Sequence, residues 1–209
     1  MSSSDKYALA LHTTTPYLGI AIDNRLGDCR EQTWNLGRDL SSHLHLYLQE
    51  MLQPQTWQDL KYVAVARGPG GFTGTRVGVA TARTIAQQLD IPLFGISTLA
   101  AIAFAAVKNY NSNKLLAVQM PARQGQLFVA IYQFDSSHTL QVRLADTTMT
   151  LENWQATLAS LTEPYQTIEA PENLATTVTA LIELAEQQWQ QQKFSYWSEV
   201  IPFYGQSPV

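Results

Sequence analysis

The chain has 209 residues, 45% of them apolar and 14% charged, with a net charge of −4. That length and apolar content allow one large domain or two small lobes around a buried core. The 13 Lys and Arg are scattered without a basic run, which excludes autonomous grip on an RNA backbone. One cysteine, Cys29, excludes an internal disulfide and points to a reducing compartment. The longest apolar run, Leu99 to Val107, is far short of the ~18 residues of a membrane span. The opening Met1 to Lys6 lacks the layout of a secretory signal, so a cytoplasmic protein is expected. None of His12, His43, His45 and His138 forms an HxxxH pair, and no metal site is expected. The low charge, with Gln, Thr and Ser supplying polarity, fits either compositional drift or a surface partly covered by another chain.

In chain order, Tyr7 to His12, Tyr17 to Asp23 and Cys29 to Leu36 predict a three-strand meander, with a turn at Asn24 to Gly27. Leu40, Leu44, Leu48 and Met51 recur at helical spacing within Asp39 to Leu52, where Asp39 or Ser41 could cap and Pro54 closes the segment. A buried strand follows at Tyr62 to Ala66, then a loop at Gly68 to Gly71, a helix over Thr73 to Leu89 and a strand at Leu93 to Ile96. From Thr98 an alanine-rich helix leads to a loop at Asn109 to Asn111. Strands are predicted at Leu115 to Met120, Gln126 to Phe134 and Thr139 to Leu144, and helices at Leu151 to Leu161 and Glu172 to Gln192. The βββαβαβ order of the first half is similar to one lobe of the actin-like ATPase fold. The expected division is a lobe over 1–98 and a second lobe with the tail over 99–209.

The segment from Arg67 to Gly78 is the richest in signals. Gly68, Gly70 and Gly71 permit close backbone approach, and Thr73 could cap the helix behind them. Free N–H groups at a helix start attract anions, so Gly68, Gly70, Gly71, Thr73 and Gly74 with Arg76, and Arg67 alongside, could cradle a phosphate. A tight strand-to-helix turn explains the same residues. The loop is neither a Walker loop, lacking Gly-Lys-Ser/Thr, nor a Rossmann fingerprint, with Thr73 at the third glycine's place. Along the helix, Gly74, Gly78, Ala82 and Ala86 form a small-residue stripe. Interior helix glycines cost up to ~1 kcal/mol against alanine, so a close packing partner is expected, either the protein's own sheet or a helix of another chain.

The stretch Gly68-Pro69-Gly70-Gly71-Phe72-Thr73-Gly74-Thr75-Arg76-Val77-Gly78 resembles the hallmark of the TsaB (YeaZ) family, Gly-Pro-Gly-Ser-Phe-Thr-Gly-Leu-Arg-Ile-Gly. Similar to the same family are Val79 to Arg83, Ile91 to Leu99, the first strand from Leu9 to Pro16, Ala122 to Phe128 and Pro202 to Tyr204. The resemblance implies an actin-like (ASKHA, ribonuclease H-like) α/β fold with two lobes, each a mixed sheet with helices. It implies a non-catalytic scaffold that binds and activates a TsaD paralogue, with the ATPase TsaE joining through the complex, in threonylcarbamoylation of the tRNA adenosine beside the anticodon. Contact with tRNA would be indirect. No cofactor of its own is expected, ATP and Mg being used by the complex. The partner interface maps to Leu40, Leu44, Leu48 and Met51 on one helix and Gly74, Val77, Gly78, Thr81, Ala82 and Ile85 on the next. A homodimer through the same helices is a further expectation, and apolar and small residues there should be exposed in the isolated chain.

Departures bear on catalysis. His12 stands where actin-like ATPases place an aspartate, Pro121 replaces the Asp of the Asp-Ala-Arg segment, Gln206 replaces the tail Arg, and the chain has no Asp-x-Gly. Carboxylates that hold Mg²⁺ and orient water are the main devices of phosphoryl transfer. The alternative, a stand-alone actin-fold ATPase or kinase using the glycine loop, is therefore disfavoured, as is a peptidase. Trp34, Trp57, Trp154, Trp189 and Trp197 are expected in core and interface packing. The cluster from Gln187 to Gln192 is expected as a solvated helix face.

Overall fold

The computed structural model describes residues 6–107, 114–135 and 139–205. His138, Gln206 and the loop expected at Asn109 to Asn111 lie outside the described residues. The chain order is β1 (Tyr7–His12), β2 (Tyr17–Asp23), β3 (Cys29–Asn35), α1 (Leu40–Leu52), β4 (Leu60–Ala66), α2 (Phe72–Leu89), β5 (Leu93–Ile96) and α3 (Thr98–Val107). Then come β6 (Leu115–Pro121), β7 (Gln126–Phe134), β8 (Leu140–Thr150), α4 (Leu151–Ala159), β9 (Tyr165–Glu169) and α5 (Val178–Gln190).

Five strands form one sheet in the order β3-β2-β1-β4-β5. The meander β1-β2-β3 is antiparallel, and β4 and β5 join it in parallel. The second sheet runs β8-β7-β6-β9, with β9 parallel to β6 and the other pairs antiparallel. Both sheets are thus mixed, as the resemblance implies.

The central strand β1 is buried on both faces, and its alternation decides what covers each. Leu9 and Leu11 join Leu40, Leu44, Leu48, Val79, Ala82 and Ala86 in a core under α1 and α2. Ala8 and Ala10 face the opposite way, into the core that α3, α5 and the second sheet complete. Methyl side chains on that face let helix backbones approach closely. Helix α3 is apolar nearly all round and sits buried within that core, as a helix without a polar face must. A smaller core around Trp154 lies under α4, which Thr150 caps by accepting from the Asn153 N–H at 3.2 Å.

Several expectations need correction. Asp39 occupies the α1 cap position without a side-chain cap bond, and Ser41 lies inside the helix. Strand β8 runs to Thr150 rather than stopping at Leu144, because its pairing with β7 continues through Thr147, Thr148 and Met149. Helix α5 begins at Val178, after a 3-10 turn over Leu174–Thr177. Strand β9 was not expected: only Ile168 is buried in its five residues, so it carries no hydrophobic period.

Candidate functional site

The glycine loop joins β4 to α2 and borders a cleft of about 810 Å³. Thr15, Gly70, Gly71 and Phe72 line one side, Pro121 to Gln124, Phe128 and Thr148 the other, and Tyr204 and Gly205 close the rim. The loop's local shape follows from contacts within the chain. The Gly71 N–H donates to the Thr14 carbonyl at 2.7 Å, and the Gly71 carbonyl accepts from both the Thr75 N–H and its hydroxyl. A Cβ at Gly70 would meet Thr14 Cβ at 2.5 Å. Gly68 has φ +108°, and a side chain there would collide with the Phe203 carbonyl. The tight turn is therefore required by the fold itself.

As a phosphate cradle the expected residues separate. Gly70 and Gly71 face the cleft, whereas Gly68 backs onto Phe203 and Gly74 onto the Thr13 carbonyl. The helix cap is Gly71, and Thr73 lies exposed one residue inside the first turn. The Arg76 guanidinium sits over the Phe72 ring, 5.2 Å from its centroid, and Arg67 over Phe203 at 5.7 Å. Arg123, outside the expected set, does border the cleft. Among the described residues no group of three or more His, Cys, Asp or Glu is placed to hold a metal ion.

His12, at the end of β1, is fully buried, and neither ring nitrogen has a hydrogen-bond partner. Burial alone pushes its pKa down to about 3, so it stays neutral through the physiological range. Both ring nitrogens lie inside the protein, so neither reaches the cleft as an acid, a base or a ligand.

The small-residue stripe of α2 faces inward. Gly74 and Gly78 lie against Thr13, whose hydroxyl donates to the Gly74 carbonyl at 2.8 Å, and Ala82 and Ala86 are fully buried. Its packing partner is the protein's own first strand and the turn after it. Of the expected interface residues, Leu40, Leu44, Leu48, Gly78 and Ala82 are buried in the chain's own core, against the expectation that they stand exposed. Met51, Gly74, Val77, Thr81 and Ile85 are half-buried, and Ala80 and Thr84 beside them are exposed. On α1, Leu46 is 44% exposed.

Two features were not legible in the sequence. The segment after α5 runs along both sheets: the Phe203 N–H donates to the Arg67 carbonyl at 2.7 Å, and the Gly205 carbonyl accepts from the Thr148 hydroxyl at 2.6 Å. Ser97, Tyr132 and Asp146 form a hydrogen-bonded chain, with Tyr132 OH donating to Asp146 Oδ1 at 2.6 Å. Burial and then Asp146 push the Tyr132 phenol well above its ordinary range.

A family model described as TsaD, tRNA N6-adenosine threonylcarbamoyltransferase, matches residues 37–202. The Bacillus subtilis tRNA threonylcarbamoyladenosine biosynthesis protein TsaB is 35% identical over 107 residues, 51% of this chain and 45% of that protein. Its Escherichia coli counterpart is 30% identical over 131 residues, 56% of each chain. The chain spans about half the length of the curated relatives it matches. The solved structure of YeaZ from Pseudomonas aeruginosa superposes with a TM-score of 0.78 at 19% identity, covering 95% of this chain and all of that one. A Pseudomonas aeruginosa crystal structure described as similar to peptidase YeaZ gives 0.79 at 18%, covering 96% and 100%. At such identities the structures establish the shared fold.

Proposed function

The chain belongs to the TsaB (YeaZ) group of the family that the TsaD model describes, and from this premise we propose that it acts in threonylcarbamoylation of tRNA adenosine as a non-catalytic partner subunit. The observation that carries the reading is the state of the glycine loop and the strand beneath it. The loop keeps the hallmark sequence except at Gly71, Thr75 and Val77, it spends the Gly71 N–H on Thr14, and buried, neutral His12 stands where catalysis would need a carboxylate. What the family motif preserves here is a shape.

The partner is a TsaD-type paralogue, and the contact surface is the outer face of α2 with the adjoining part of α1. Val77, Thr81 and Ile85 recur every four residues and form one ridge, flanked by exposed Ala80 and Thr84 and by half-buried Met51. This ridge is uncharged and built of short or β-branched side chains, which suits close packing against another helix. A homodimer through the same face is the expected state where the paralogue is absent. The TsaE ATPase joins through the complex, and ATP and Mg are used there.

Mixing the protein with its TsaD-type paralogue in size-exclusion chromatography, followed by a tRNA modification assay with TsaE, ATP and threonylcarbamoyl-adenylate, tests this. A shared peak, and modification that stops when the chain is omitted, are expected. Separate peaks with modification unaffected by omission would defeat the reading.

The cleft of about 810 Å³, bordered by Gly70, Gly71 and Arg123, favours a second reading: a stand-alone actin-fold ATPase or kinase. Titration with ATP and Mg²⁺ by tryptophan fluorescence, with a hydrolysis assay, decides it. Saturable binding with turnover by the chain alone would establish that reading over the scaffold.

A further inference from the structure

A second cavity, of about 320 Å³, lies between the end of β5, strand β8 and the last turns of α5, and shares no lining residue with the glycine-loop cleft. We propose that it binds a small zwitterion of the α-amino-acid class, with Asp146 receiving the ammonium and Arg67 the carboxylate.

Tyr132 OH donates to Asp146 Oδ1 at 2.6 Å, so its proton is committed. The Ser97 hydroxyl, 3.2 Å from Tyr132 OH, must therefore donate to it, while Ser97 Oγ also accepts the Ala100 N–H at the start of α3. The chain is directed from helix to carboxylate and holds Asp146 in one orientation. It leaves the other oxygen, Asp146 Oδ2, buried and without a hydrogen-bond partner. A carboxylate oxygen removed from water without a donor is costly, and a native protein holds one where something supplies that donor. Asp146 lines the cavity, and an ammonium bound beside it there would supply that donor.

The opposite charge is also provided for. Arg67 lines the same cavity, and its guanidinium rests on the Phe203 ring and makes no ion pair with a carboxylate among the described residues. Its charge reaches Tyr132, where it opposes the upward pull of burial and Asp146. Lys193 adds a second cation at the rim. Fixed groups of both signs in one cavity select a molecule carrying both. The volume sits at the small end of ligand cavities, about 300–1,000 Å³, which suits an amino acid better than a nucleotide.

Thermal melts of the full chain with each proteinogenic L-amino acid at about 10 mM, followed by calorimetry on those that raise the midpoint, test the proposal. At least one is expected to bind, with Arg67→Met and Asp146→Asn each weakening it by about 10–100-fold. Asp146→Asn keeps an acceptor for Tyr132, and circular dichroism of the unliganded variant should show that it folds. Acetate and methylammonium, each carrying one charge, should bind at least ~10-fold more weakly. No stabilisation by any amino acid, equal binding of acetate, or affinity indifferent to both substitutions would each overturn the proposal. These readouts need neither paralogue nor tRNA, so they stand apart from the test of the scaffold role.

Discussion

His12 shows how one residue can carry both a functional inference and a measurable cost. Its ring is fully buried with both nitrogens unpartnered, and burial holds its pKa at about 3, against 6.5 for an exposed histidine. Folded protein therefore refuses a proton that the unfolded chain accepts below about pH 6.5. The contribution to stability is complete above about pH 6.5 and is lost progressively as the pH falls towards 3. Between pH 6.5 and 5 the loss is about 2 kcal/mol. Urea unfolding across that range should show the decline in the wild type, and His12→Leu should flatten it while leaving neutral-pH stability about equal or higher. An acid slope unchanged by the substitution would assign it to other groups. In the sequence the position of His12 at a strand end was readable, but its burial was not, because burial comes from elements far along the chain.

At the scale of elements, the sequence places α2 to within one residue and displays its stripe, but not which side the stripe faces. The pattern Gly74, Gly78, Ala82, Ala86 states only that something approaches closely. Both candidates, the protein's own sheet and a foreign helix, satisfy the same spacing. Thr13 decides it, since its carbonyl and hydroxyl occupy the space that side chains at Gly74 and Gly78 would need. Gly78→Leu should therefore unfold or strongly destabilise the chain, by about 3 kcal/mol or more, as seen by circular dichroism melting. Ala80→Arg, on the exposed side of the same helix, should leave the melt within about 0.5 kcal/mol of the wild type and abolish pairing with the paralogue in size-exclusion chromatography. A folded Ala80→Arg variant that still pairs would move the interface off α2. Thr73 is a good capping type, but the loop turns at Gly71, where Thr14 takes the N–H. Strand β9 and the far half of β8 escaped notice because they are half-exposed and polar, so their pairing is set by neighbours rather than by their own pattern. The glutamine cluster was expected to be solvated, yet Gln187 and Gln188 are half-buried beside the second cavity.

The molecule as a whole is joined at two levels, and they differ in how strongly they hold. One is the core in which Ala8, Ala10, Tyr62, Ala64 and Phe94 of the first sheet meet α3, α5 and Val118, Phe128 and Tyr132 of the second. Because that core belongs to neither sheet alone, residues 1–98 in isolation would leave one face of β1 and β4 bare, and the two lobes should melt in a single transition. The other is the segment after Glu199. Val200 is buried against Gly95, Phe203 bonds Arg67, Tyr204 packs at a tilt on Phe72 with centroids 4.5 Å apart, and Gly205 accepts from Thr148. Its side chains and bonds thus reach the glycine loop on one side and β8 on the other, across the rim of the cleft. Ending the chain at Glu199 removes one buried valine, an aromatic pair and two hydrogen bonds, a loss of about 3–6 kcal/mol. Urea unfolding of that truncated chain should remain a single transition with a lower midpoint, because the shared core survives. Two separated transitions would mean instead that the terminal segment, and not the core, couples the lobes.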